Sequence, residues 1–220
     1  MERIRQKLEA ARALTAAEAD AFRLEPPCAL DVIENHERAW GVHLPDDYRE
    51  FLLHVGNGGI GPDCGLAPLR EWRPLDLPQV TTTIRSKDGS EVSAGTGERP
   101  PLGRAADPAR PFAMRHAWSV GDPLPVDPGQ HPYDGCVFLT DMGCGYFTFL
   151  VVNGTRAGEV WVDVSAAVTG GAIRPLAPTF LEWYGRWLDE TIWGGIWNCV
   201  RAARSEEHTS ELQSQIAISY

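Results

Sequence analysis

Two cysteines, Cys136 and Cys144, and two histidines, His116 and His131, are the residue types from which a thiol nucleophile and its general base are built. A thiol attacks only as its thiolate, so this chemistry needs an imidazole within hydrogen-bond reach of the sulfur. No protease motif surrounds these residues. Gly135 beside Cys136, and Gly143 and Gly145 around Cys144, fit small cysteines packed at strand positions instead. The two cysteines have no neighbouring Cys or His pair at the spacing of a closed zinc site, so neither a metal nor a cofactor is expected. Gly56-Asn57-Gly58-Gly59 would cradle a phosphate only if it preceded a helix and carried the Lys and Ser/Thr of a P-loop. It follows a helical pattern and has neither, and so reads as a helix stop. His36 and His54 fall on helical patterns, where packed or solvated histidines are expected rather than ligands.

Binding chemistry has more to work with. Asp134, Asp141, Glu159 and Asp163 are candidates for an acidic patch facing a basic partner, because matched potentials speed encounter; an ordinary solvated sheet edge would place them equally well. Of eight tryptophans, Trp72, Trp118, Trp193 and Trp197 lie outside the clear core stripes, and Trp72 and Trp118 are candidate aromatic anchors for a partner.

The elements that must position these residues follow from periodicity. Ile4, Leu8 and Ala11 recur at helical spacing, and Thr15 with Glu18 suggests a capping box for a second short helix, so residues 1–28 read as a helical lead-in. A helix from Ala29 puts Val32, Ile33, His36 and Trp40 on one face and stops at Gly41. The next, with Pro45 at its first position and Asp46 and Asp47 in its first turn, carries Tyr48, Phe51, Leu52 and Val55 as a buried stripe. Residues 62–132 are rich in Pro and Gly; short strand-like pieces fall at 65–69 and 80–84, and a long loop is expected at 86–111. Residues 137–140, 146–152 and 159–164 read as successive strands of an antiparallel meander. A last helix, with Thr179 as cap, gathers Phe180, Trp183, Tyr184, Trp187 and Leu188 on one side. Helices at both ends of an antiparallel sheet give an α+β fold with one domain over 29–203.

Charge and cysteine usage narrow the partners. The 220 residues carry a formal net charge of −10. Residues 204–214 resemble the in-frame translation of a sequencing-library adapter, and 218–220 its next stretch, so 204–220 is read as a scar and not as native sequence. Setting it aside takes Lys+Arg from 20 to 19, Asp+Glu from 30 to 27 and the net charge from −10 to −8. An acidic body repels phosphate backbones and anionic lipid, which disfavours nucleic acid and membrane and favours a basic protein. Five cysteines at irregular spacing make no disulfide framework, and no apolar run approaches a membrane span, so the cytoplasm is the expected compartment.

Two segments carry a family likeness. Residues 33–59 hold a helix, then Gly41, Leu44-Pro45, Tyr48 and Phe51-Leu52, closing on Gly56-Asn57-Gly58. The second segment comprises Gly135-Cys136, Gly143-Cys144-Gly145, the run from Leu150 to Gly154, Gly158 to Asp163 with Trp161, and Phe180 to Tyr184 with Trp183. Together they resemble the SUKH superfamily, which includes immunity proteins of bacterial polymorphic toxin systems and fungal regulators of cell-wall assembly. His36 stands where that family more often has an apolar residue. The resemblance implies a domain that binds and neutralises a cognate toxin without chemistry of its own. A regulatory scaffold for endogenous partners is the alternative, and a Cys-dependent hydrolase a third.

Overall fold

A computed structural model of the chain describes residues 1–14, 23–69, 83–85, 91–93, 105–167 and 170–193. Four helices, α1 (Glu2–Leu14), α2 (Leu30–Trp40), α3 (Asp46–His54) and α4 (Phe180–Trp193), accompany seven strands. The strands are β1 (Thr83–Arg85), β2 (Glu91–Ser93), β3 (Trp118–Ser119), β4 (Cys136–Gly143), β5 (Tyr146–Val151), β6 (Val160–Asp163) and β7 (Ala172–Ala177). β1 and β2 form a small hairpin, and the other five make one antiparallel sheet in the order β3-β7-β6-β5-β4. The α+β class and the central meander are as the sequence implies. Trp72, Trp197, the Thr15–Glu18 pattern and the adapter-like tail fall outside the described residues.

Strand alternation sends side chains to two separate cores. Val137, Leu139, Leu150, Val152 and Val160 face the helices, meeting Ile4 and Leu8 of α1, Ile33 of α2, Tyr48, Phe51 and Leu52 of α3, and Phe180, Tyr184 and Leu188 of α4. Rings carry much of this contact: Phe180 lies 4.6 Å from Tyr48 and 5.0 Å from Phe51, centre to centre. The opposite sheet face is dry as well. Phe147, Phe149, Val151 and Trp161 pack there against Trp118 of the two-residue β3 and against Phe112, Met114 and Tyr133, which irregular chain supplies.

The segment expected to be loop is therefore partly a second wall. Residues 105–135 cross the sheet, tied by Phe112 N–H to the Asn153 carbonyl at 2.9 Å and by Asn153 Nδ2 to the Ala109 carbonyl at 2.8 Å. β7 extends the expected three-stranded meander, and β3 pairs with it only at Trp118–Ile173 and Ser119–Ala172.

Helix ends are fixed by a few polar groups. Gly41 ends α2 with φ of 63°, a conformation open to glycine, and Glu37 then takes over the elbow: its carboxylate accepts Leu44 N–H at 2.9 Å and pairs with Arg49 at 3.4 Å. Pro45 sits at the N-cap of α3, one residue before the position the sequence suggests. Thr179 Oγ1 caps α4 through Glu182 N–H at 3.2 Å, and Asp47 reaches over from α3 to accept Leu181 N–H at 3.0 Å.

Gly56-Asn57-Gly58-Gly59 does more than stop a helix. Asn57 Oδ1 accepts Leu69 N–H at 2.8 Å, and a Cβ on Gly58, whose φ is 92°, would lie 2.7 Å from Pro68 N. Backbone bridges Leu24–Gly59, Gly59–Leu66 and Leu66–Thr140 then continue the sheet beyond β4. Only a side-chain-free turn lets three backbones come this close.

Candidate binding surface

Of the residues that could have formed a catalytic pair, one cysteine and one histidine are buried and the other two are exposed. Cys136 is 3% exposed, its Sγ donates to the Asp134 carbonyl at 3.4 Å, and burial, with Asp134 second, pushes its thiol well above the ordinary value. His131 is 4% exposed and its Nδ1 accepts Tyr133 N–H at 3.2 Å. A reagent in solvent reaches neither. Cys144 is exposed at the tip of the β4–β5 hairpin with φ of 54°, and His116 is exposed with Nδ1 at 2.8 Å from the Ala117 carbonyl. Among the described residues no group of three or more His, Cys, Asp or Glu is placed to hold a metal ion.

The four carboxylates read as an acidic patch do not form one. Asp134 and Asp163 are almost wholly buried and serve the second core. Asp134 accepts Asp107 N–H at 3.0 Å and His131 N–H at 3.1 Å, tying both ends of the 105–135 segment together, while Asp163 accepts the Tyr133 hydroxyl and Ser165 N–H. A carboxylate survives burial when donors surround it, and here they do. Glu159 is held by Arg156 at 3.1 Å and by Trp161 Nε1 at 2.8 Å. Asp141 alone of the four is exposed; its side chain caps Gly143 N–H at 2.7 Å.

Trp118 is no surface anchor. It is 9% exposed, packs in the second core and donates Nε1–H to the Asp122 carbonyl at 2.8 Å.

The residues of the two family-like segments are architectural. Leu44, Tyr48, Phe51, Leu52, Trp161, Phe180 and Tyr184 are at most 1% exposed, and Trp183 is 7% exposed. A family model described as the SMI1 / KNR4 family (SUKH-1) matches residues 27–186. The chain belongs to that family. No curated protein and no solved structure matches it. The SUKH-1 match begins just before α2 and ends inside α4, so α1 lies N-terminal to it, yet Lys7 of α1 binds Asp189 at 2.6 Å and the Gly185 carbonyl at 3.0 Å on α4.

With both sheet faces covered, the surface of the described residues in this SUKH-1 chain consists of helix exteriors and loop corners. One corner joins Asp63 and Cys64 to the β4–β5 hairpin: Cys64 N–H donates to the Asp141 carbonyl at 3.1 Å and Thr140 Oγ1 donates to Asp63 at 3.2 Å. Partial burial raises the Asp63 carboxyl, and burial with Asp141 and Asp63 nearby raises the Cys64 thiol. The second surface is α2 with α3. The sequence pattern puts Val32 on one face with Ile33, but Val32 is 39% exposed and Leu30 is 47% exposed; of α2 only Ile33 is fully buried. No helix of the described residues is long and apolar enough to cross a membrane.

Proposed function

We propose that this SUKH-1 chain is a non-catalytic protein-binding module of the cytoplasm, and an immunity protein that neutralises a cognate bacterial toxin. The family match carries the reading. It is supported by the burial of Cys136 and His131, which leaves the best nucleophile candidate closed to substrate, and by an acidic chain suited to a basic partner. The chain acts as a rigid body: a sheet walled on both faces presents its outer residues without reorganising, which lowers the cost of association. It occludes the toxin's active surface and transforms nothing.

Co-expression with the polypeptide encoded by the neighbouring gene tests this. A stable complex and restored growth are expected. No complex and no restored growth would sink the immunity role, and an isolated locus whose partner is an endogenous enzyme would favour the regulatory scaffold. The hydrolase reading requires selective labelling of Cys144 by an activity-based thiol probe, which is not expected.

A further inference from the structure

Helix α1 lies outside the SUKH-1 match, yet it is seated on surface that the matched helices supply. Ile4, Leu8 and Ala11 stand at i, i+4 and i+7, so a single stripe turns all three inward, and each is at most 5% exposed. Arg5 and Lys7 leave the helix on either side of that stripe. On one side the Arg5 guanidinium donates to the His54 carbonyl, at the end of α3, at 2.8 Å. On the other the Lys7 ammonium donates to the Gly185 carbonyl of α4 at 3.0 Å and pairs with Asp189 at 2.6 Å. The floor is shaped for a helix as well. A Cβ on Gly185, in the middle of α4, would stand 3.3 Å from Ile4 Cδ1, and a glycine at this place weakens α4 while letting the two helices come close.

Charge distinguishes which helices fit. α1 carries Arg3, Arg5, Lys7 and Arg12 against Glu2 and Glu9, a basic helix on an acidic chain. α4 carries Glu182, Asp189 and Glu190 against Arg186. A helix without a cation at each flank would leave Asp189 and the carbonyl end of α3 unmatched. The 13 residues of α1 are too few to hold a helix firmly in water on their own, so its shape depends on being docked. A helix of another protein that repeats the stripe and its two cations would make the same contacts and leave the sheet and the second wall as they are.

We propose that the groove of α3 and α4 under α1 is the docking site for a basic amphipathic helix of the protein partner, and that α1 occupies it in cis as an intramolecular competitor. The proposal rests on the protein-binding reading and adds to it a face and a means of regulation. Because the partner's helix enters only while α1 is out, its apparent affinity falls with the fraction of chains whose groove is open, and whatever weakens the seat of α1 raises it.

The test uses the full chain, with a fluorescent synthetic peptide of residues 1–14 and the catalytically inactivated product of the adjacent gene as probes. Lys7→Glu sets a carboxylate against Asp189 and keeps the apolar stripe; it is expected to tighten peptide binding by roughly tenfold over wild type in fluorescence anisotropy. Ile4→Asp with Leu8→Asp should tighten it further, and a peptide that itself carries Lys7→Glu should bind this double variant more weakly by a similar factor. The adjacent gene's product should follow the same order among the chains and be displaced by the wild-type peptide. Hydrogen exchange on the wild type needs no variant: α1 amides should open roughly 100-fold more often than those of α3. Equal exchange in the two helices, or peptide binding that neither variant improves, overturns the proposal. A wild-type dimer in sedimentation that the peptide dissolves gives the groove to α1 of a second copy and overturns it too. If the adjacent gene's product binds all three chains alike and ignores the peptide, the groove fails and the protein-binding reading stands. If that product binds none of them, both fail.

Discussion

At the scale of single residues, the carboxylates and thiols show how far residue type alone misleads. Asp134 and Asp163 read as surface charge because acids are seldom buried, and nothing in one sequence announces the backbone donors that close around them. Cys136 was legible as a buried strand cysteine, and a thiol reagent on the native chain is expected to label Cys64 and Cys144 but to reach Cys136 only after unfolding. Cys144 occupies the first central position of a two-residue hairpin turn, where φ of 54° suits Asn or Gly. Cys144→Asn should therefore stabilise the fold by about 0.5–1 kcal/mol in urea unfolding. Asp63 adds a pH dependence. Its folded-state carboxyl is raised, so its contribution is fully present below the unfolded carboxylate value and is lost as pH rises through the folded one. Asp63→Asn, which tolerates the residue's φ of 57°, is expected to raise the melting temperature at pH 7 and to lose that advantage near pH 3.

At the scale of elements, periodic segments were legible and aperiodic ones were not. α1, α3, α4 and β4 to β6 follow from stripes and alternation because a buried face leaves a period in the sequence. β7 escaped because Pro175 interrupts a short run, and β3 because two residues have no period. α2 was found with its burial overstated, since helical spacing cannot tell a wide core face from a single inward residue. Caps were better signposted. Thr179 was named from sequence, whereas Asp47 as a second cap for α4, 134 residues away in the chain, could come only from the fold. Asp47→Ala and Thr179→Ala should each cost about 1 kcal/mol by chemical denaturation. Gly58→Ala is the harsher change: with backbone of another segment 2.7 Å from the new Cβ and a left-handed φ, a loss of about 2 kcal/mol or more is expected, read in the same experiment.

At the scale of the whole molecule, the second core is what the sequence concealed. Phe112, Met114 and Tyr133 sit on irregular chain and Trp118 on a strand of two residues, so their burial reflects where residues 105–135 are pinned and not any repeat. Phe149→Ala, at the centre of that core, should cost about 3–5 kcal/mol and should speed hydrogen exchange across residues 105–135 more than in α3. The edges of the sheet have a further consequence. Past β4 the Leu66–Thr140 bridge occupies the rim, and on the far side Pro175 brings no N–H while Arg186 reaches the Leu176 carbonyl at 3.4 Å. Strand-by-strand growth into fibrils or swapped dimers has little backbone left to template it. Outward side chains on this scaffold can thus be rewritten freely, because the guarded rims that block further strand pairing are made of backbone and lie apart from them.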